Sequence, residues 1–224
     1  MPCIVITNAK GGVGKSTCSL ILATEFAARG YEVKLIDCDP NLSVSRYFRA
    51  CENSNNSPDN LILVPEQDKS TIVRTIRELD VDGTMVVVDL PGQASQLASR
   101  AISMADLVLT PTKPQKIDSE IGVETNILIV EEEEVLGRTI AHSFVLNETS
   151  GVQSKEARGV EQGLLDNGLD LIKPSLMKRV PYSWLFTFGG DLRSIPDHPG
   201  KQKAIEEASK FTEQVLLRLE KILG

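Results

Sequence analysis

Apolar and polar positions along this chain are arranged in blocks. Near-continuous runs of aliphatic, mostly β-branched residues recur at CIVITN (3–8), EVKLID (32–37), LILV (61–64), MVVVD (85–89), LVLTP (107–111) and IAHSFVLN (140–147). Runs that stay apolar on both alternating faces read as strands covered on both sides, as in parallel sheets. Between them, helical patterns are predicted over 16–29, 70–79, 96–104, 118–133, 154–167 and 201–222, spaced as βαβ crossovers require. The last pattern places Ile205, Ala208, Phe211, Val215, Leu219 and Ile222 on one stripe, which is predicted to pack on the core. The expected fold class is α/β, a mainly parallel, twisted sheet with helices on both faces, in one domain spanning 1–224. Segments 52–60 and 189–200 are rich in Pro, Gly, Asn and Ser and read as loops within it.

Composition narrows the function classes. The 224 residues carry 24 basic and 31 acidic groups, a net charge of −7, so the whole molecule lacks the basic footprint that holds a protein on nucleic acid. Any such binding must be local. No apolar run approaches the roughly 18 residues of a membrane-spanning helix, and no charged leader with an apolar stretch precedes the first strand. Cys3, Cys18, Cys38 and Cys51 match neither metal-site spacing nor a disulfide framework, which fits a reducing cytoplasm. His142 and His198 have no second histidine at ligand spacing, and the acidic run 131–134 reads as a solvated helix end.

The decisive stretch is Lys10-Gly11-Gly12-Val13-Gly14-Lys15-Ser16-Thr17, which follows the first strand and opens the first helix. Glycines let the backbone turn its N–H groups inward as an anion nest, and the helix adds its positive end. Lys15 reaches the terminal phosphates and the Ser16 hydroxyl suits Mg²⁺, so the segment reads as a P-loop binding nucleotide through these residues. Asp89, closing the apolar run 85–88, reads as the carboxylate that faces the metal. Asp37 and Asp39 in Asp37-Cys38-Asp39-Pro40 end another strand beside the loop, placed to order metal-bound or attacking water.

The standard P-loop has glycine where this chain has Ala9, followed by an additional lysine, Lys10. This form resembles the ParA/MinD family of dimerising ATPases, most closely the short, ParF-like ParA proteins. The resemblance implies ATP and Mg²⁺ as cofactors and an ATP-dependent homodimer, with Lys10 crossing to the partner's nucleotide as a catalytic cation alongside Lys15. It also implies that Asp39 is needed for hydrolysis and contacts the metal site with Ser16 and Asp89 while Asp37 is structural, that Pro91-Gly92 is a second switch, and that Asn147 reads the adenine. The segment 105–114 with Asp118 is similar to the family's fifth-strand signature, and 176–192 with Arg179, Tyr182 and Gly189 matches more loosely. Asn41 stands where many relatives have glutamine.

Within the family, no cysteine follows Cys51 for an iron–sulfur cluster, and only Tyr31, Tyr47 and Tyr182 are present, unlike the tyrosine-clustered kinases. The last helical pattern is near neutral, so no membrane partner is expected, and no amino-terminal helix-turn-helix is expected either. Residues 173–203 hold six basic groups, Lys173, Lys178, Arg179, Arg193, Lys201 and Lys203, against two acids. By resemblance these are candidates for nonspecific DNA binding, which a dimer would double. The expected function is a cytoplasmic, nucleoid-associated ATPase that partitions or positions a cargo under a ParB-like activating partner. A MinD-like membrane-positioning ATPase and an ATP-dependent metabolic ligase of the same fold are the alternatives.

Overall fold

The computed structural model describes residues 2–224 apart from Gln67 and Ala94, and leaves out the side chains of Asp118, Ser119 and Ile121. Strands and helices alternate: β1 (Cys3–Ile6), α1 (Lys15–Ala28), β2 (Glu32–Asp37), α2 (Ser43–Ser54), β3 (Leu61–Pro65), α3 (Ile72–Glu78), β4 (Thr84–Asp89) and α4 (Gln96–Ile102). They continue as β5 (Leu107–Thr112), α5 (Lys116–Leu136), β6 (Ala141–Leu146), α6 (Lys155–Asp166), β7 (Leu171–Ile172), α7 (Val180–Phe188) and α8 (Lys201–Leu223). The strands form one sheet in the order β3-β2-β4-β1-β5-β6-β7, and every pairing is parallel.

Alternation along each strand divides the apolar interior between the two faces. Ile4, Ile6, Leu35, Val87 and Leu109 pack with residues of α1, α2, α7 and α8. Their neighbours Cys3, Val5, Ile36, Val88 and Val108 pack with α3, α4 and Ile129 of α5. A third cluster joins Phe144 and Leu146 to Val160 and Leu164 of α6. The central strands are therefore buried on both faces, which is why they are apolar without interruption.

The six predicted strands and six predicted helices are all present, with shifted ends. Strand 140–147 shortens to Ala141–Leu146, and α5 runs from Lys116 to Leu136. Three elements escape the pattern. In α2 only Val44, Tyr47 and Cys51 are fully buried apolar positions, interleaved with Ser and Arg, and its last turn, 52–54, overlaps the segment read as a loop. α7 is apolar on nearly every side, with proline near its start and Gly189 after its end, and β7 has only two residues. The α8 stripe packs inward through Ala208, Phe211, Val215 and Leu219, whereas Ile222 is 39% exposed and Ala204 takes up the buried end.

One interior polar link ties β5, β6 and α5 together. The His142 ring sits 2.8 Å from Thr110 Oγ1 and 2.9 Å from Asn126 Oδ1. Burial lowers its pKa to about 4, against the opposing field of Asp170. The unfolded chain, with histidine near its ordinary value, binds the proton first as pH falls. Stability contributed by neutral His142 is therefore present above about pH 6.5 and lost toward pH 4, by at most about 3 kcal/mol. Urea unfolding should show a steeper loss across this window in the native chain than in His142→Gln.

Candidate nucleotide site

The carboxyl ends of β1, β2, β4 and β6 open on one cleft of about 660 Å³, bordered by Gly12, Lys15, Thr17, Asp39, Arg46 and Gly92. Its floor follows from the glycines. Gly12 and Gly14 adopt positive φ of 74° and 91°, which side-chain-bearing residues rarely accept. Gly14 is the N-cap of α1, with no side-chain cap and no acidic residue in the first turn. The first N–H groups of a helix have no partner inside it, so this end offers donors and positive potential to an anion.

Lys15 is buried, 5% exposed, and its ammonium donates to the Lys10 carbonyl at 2.9 Å. Burial lowers its pKa, while Asp89 and Asp39 pull the other way. The loop's entry is held by Asn8, fully buried, whose amide donates to the Pro111 carbonyl at 2.9 Å and whose Oδ1 accepts the Lys10 N–H at 2.8 Å. Gly92 closes the loop from the β4 side. A Cβ there would lie 2.9 Å from Gly11 N and Cα and 3.0 Å from Lys15 Nζ.

The two aspartates after β2 divide their work. Asp37 is fully buried; its Oδ2 accepts the Ser45 N–H at 2.9 Å and hydroxyl at 2.7 Å, and its Oδ1 accepts the Asp39 N–H at 3.3 Å. It caps α2 and sets the turn. Asp39 is 8% exposed, accepts the Asn41 N–H at 2.8 Å and borders the cleft. Asp89 lies in register with Asp37 and Ile6. Its Oδ1 accepts the Ser19 hydroxyl at 2.9 Å, but among the described residues its buried Oδ2 has no hydrogen-bond partner. Burial raises its pKa to about 7, opposed by the Ser16 and Ser19 hydroxyls and Lys15 and reinforced by Asp37.

A buried carboxylate oxygen without a partner beside Ser16 fits a hard, hydrated cation. Among the described residues no group of three or more His, Cys, Asp or Glu side chains could hold a metal by itself. That suits Mg²⁺ bound jointly with phosphate.

Other expected site residues stand differently. Asn147 is 3% exposed, and its amide faces the loop, donating to the Val13 carbonyl at 2.8 Å and accepting the Glu148 N–H at 2.9 Å. Four of the six basic candidates have acidic partners. Lys173 meets Glu161 at 2.5 Å and Lys201 meets Asp197 at 3.6 Å. Arg179 pairs with buried Glu207 at 2.9 Å, and Arg193 forks onto Glu25, only 1% exposed, at 2.6 and 3.2 Å. Lys178 and Lys203 are exposed and form no ion pair among the described residues. The Asp118 side chain lies outside the described residues. Asn8, Arg46 and Phe186, which also borders the cleft, were not singled out from sequence. Only Asn8 had a visible signal, a polar residue ending a buried strand just ahead of the loop.

Comparison with known proteins decides the family. A family model described as the CobQ/CobB/MinD/ParA nucleotide binding domain matches residues 4–219. The chain belongs to this family. It is 43% identical over 225 residues to Protein ParA of Rhizobium radiobacter, covering 100% of both chains. Its fold is similar to the ATP complex of McdA from Cyanothece, with TM-score 0.75, 17% identity and 96% of each chain covered. It is also similar to a putative plasmid partition protein from Borrelia burgdorferi B31 bound to AMPPNP, with TM-score 0.74, 18% identity and 97% and 100% covered. The chain is thus of the ParA type among partition and positioning ATPases.

Gly92 provides a test of the site. Gly92→Ala forces a methyl group against Gly11 and the Lys15 ammonium. It should weaken AMPPNP binding by about tenfold or more, a loss of about 1.4 kcal/mol, in titration calorimetry, with an unchanged circular dichroism spectrum.

Proposed function

We propose that this chain is a ParA-type ATPase that dimerises on binding ATP with Mg²⁺, holds DNA without sequence preference and is released when a ParB-like partner stimulates hydrolysis. The observation that carries the reading is the pairing of Lys10 with a buried Lys15 in one glycine loop, in a chain 43% identical over its full length to Protein ParA. In this reading the α1 terminus and the amides of 11–17 hold the phosphate chain, and Lys15 bears on its far end. Ser16 and Asp89 would hold Mg²⁺, with Asp39 completing that side. Bound there, the cation would supply charge neutralisation on the phosphates.

Asp39 accepts a hydrogen bond from the attacking water and aims it at the terminal phosphorus. As the water oxygen bonds to that phosphorus, the bond to the bridging oxygen breaks and the water's proton passes to the released phosphate, leaving ADP and phosphate. Lys10 reaches across to the second copy's nucleotide and stabilises charge there, which couples hydrolysis to assembly. The internal pairing of Arg179 and Arg193 favours Lys178 and Lys203 as the DNA contacts within the basic segment. The inward-packed stripe of α8 speaks against a membrane-seeking carboxyl-terminal helix. Among the described residues no helix is long and apolar enough to cross a membrane.

Asp39→Ala with ATP and Mg²⁺ should sediment as a dimer that binds nonspecific DNA, and adding Lys10→Ala should abolish both. Lys178→Ala/Lys203→Ala should weaken DNA binding severalfold at unchanged thermal midpoint. Arg193→Ala should cost about 1–3 kcal/mol of stability by depriving buried Glu25 of a partner. A monomer indifferent to nucleotide and DNA would contradict the reading and favour an ATP-using enzyme acting on a small substrate.

A further inference from the structure

Resting on the nucleotide reading above, we infer that Asn147 is a positioning residue for the phosphate nest, acting through the Val13–Gly14 peptide. The amide is engaged on both sides, through one of its two donors and one of its two acceptor positions. Nδ2 donates to the Val13 carbonyl at 2.8 Å and Oδ1 accepts the Glu148 N–H at 2.9 Å. The residue's own N–H is anchored on the Thr112 carbonyl of β5 at 2.8 Å. With the residue 3% exposed, this is a tethered group just after β6.

Its contact has a geometric consequence. A trans peptide is planar, and its C=O and N–H point in opposite directions. Holding the Val13 carbonyl toward Asn147 therefore aims the Gly14 N–H the opposite way. Gly14 borders the cleft whereas Val13 and Asn147 do not, so the opposite way is toward the anion. The approach is as close as glycine permits, since a Cβ on Gly14 would fall 1.9 Å from Asn147 Nδ2. Gly14 also has φ of +91°, which glycine adopts readily and a side-chain-bearing residue does not, so the close approach and the backbone both call for glycine there. The support continues outward. Glu148 takes φ of +54° and its carboxylate pairs with Lys113, just after β5, at 3.1 Å. Asn147 thus joins the exits of β5 and β6 to the back of the loop.

A base reader and a nest brace are separated by ligands with and without a base. Calorimetry of the intact chain would compare Mg-AMPPNP, Mg-GMPPNP and Mg-tripolyphosphate, the last also by displacement of AMPPNP. Asn147→Ala removes both hydrogen bonds without adding charge. Asn147→Asp keeps the acceptor for Glu148, loses the donor to Val13 and adds a negative charge behind the nest, so the neutral Asn147→Ala carries the comparison. Asn147→Ala should bind all three ligands, tripolyphosphate included, about tenfold more weakly, the scale of one lost hydrogen bond, and Asn147→Asp at least as weakly. Loss confined to AMPPNP, with tripolyphosphate binding intact, would overturn the inference and leave base contact as the residue's role. Unchanged binding of all three by either variant would overturn it as well. A native chain that binds none of the ligands would overturn the nucleotide reading itself, and the inference with it.

Discussion

A helix that begins beneath the carboxyl edge of a buried sheet, uncapped and with a lysine at its first position, sets the terms for the rest of this molecule. α1 starts at Lys15 behind a left-handed glycine with no side chain to satisfy its end. Lys15 is withdrawn from water and the Oδ2 of nearby Asp89 is unpartnered among the described residues. A buried ammonium and a buried oxygen without a partner are both costly. Their concentration at one point is intelligible when that point receives a polyanion with its cation, since the same groups are then satisfied together.

The surrounding fold keeps these groups in place. β1 lies between β4 and β5, so the loop after it is flanked by the end of β4, which bears Asp89, and the end of β5, whose Pro111 carbonyl holds Asn8. Asp37 and Asp39 show how position along a strand end assigns opposite work to identical side chains. One is consumed by the Ser45 N–H and hydroxyl and fixes α2; the other stands at the cleft's border. Buried Glu25 and Glu207 likewise gather arginines from the carboxyl-terminal third, tying α1 and α8 to the segment around α7.

What was legible in the sequence is what local identity encodes. The central strands announce themselves because burial on both faces demands uninterrupted aliphatic residues, and the loop because glycine, lysine and serine must occur at fixed spacing. α2 was illegible because one buried stripe among serines and arginines looks like a polar connector. Charge counting could place six basic groups in 173–203, yet it could not see that Arg193 answers a carboxylate 168 residues earlier. The position of Asn147 was legible and the engagement of its amide was not, because Val13 lies 134 residues away in the chain. Long-range pairing decides which polar groups remain available for ligands.

The central claim is that the α1 terminus and Lys15 form one polyanion site. Titration of Mg-AMPPNP into the intact chain and into Lys15→Gln tests it most directly. One ligand should bind per native chain, and Lys15→Gln should bind up to about a hundredfold more weakly, the scale of a charge-assisted hydrogen bond. Equal binding by the two proteins, or none by the native chain, would contradict it.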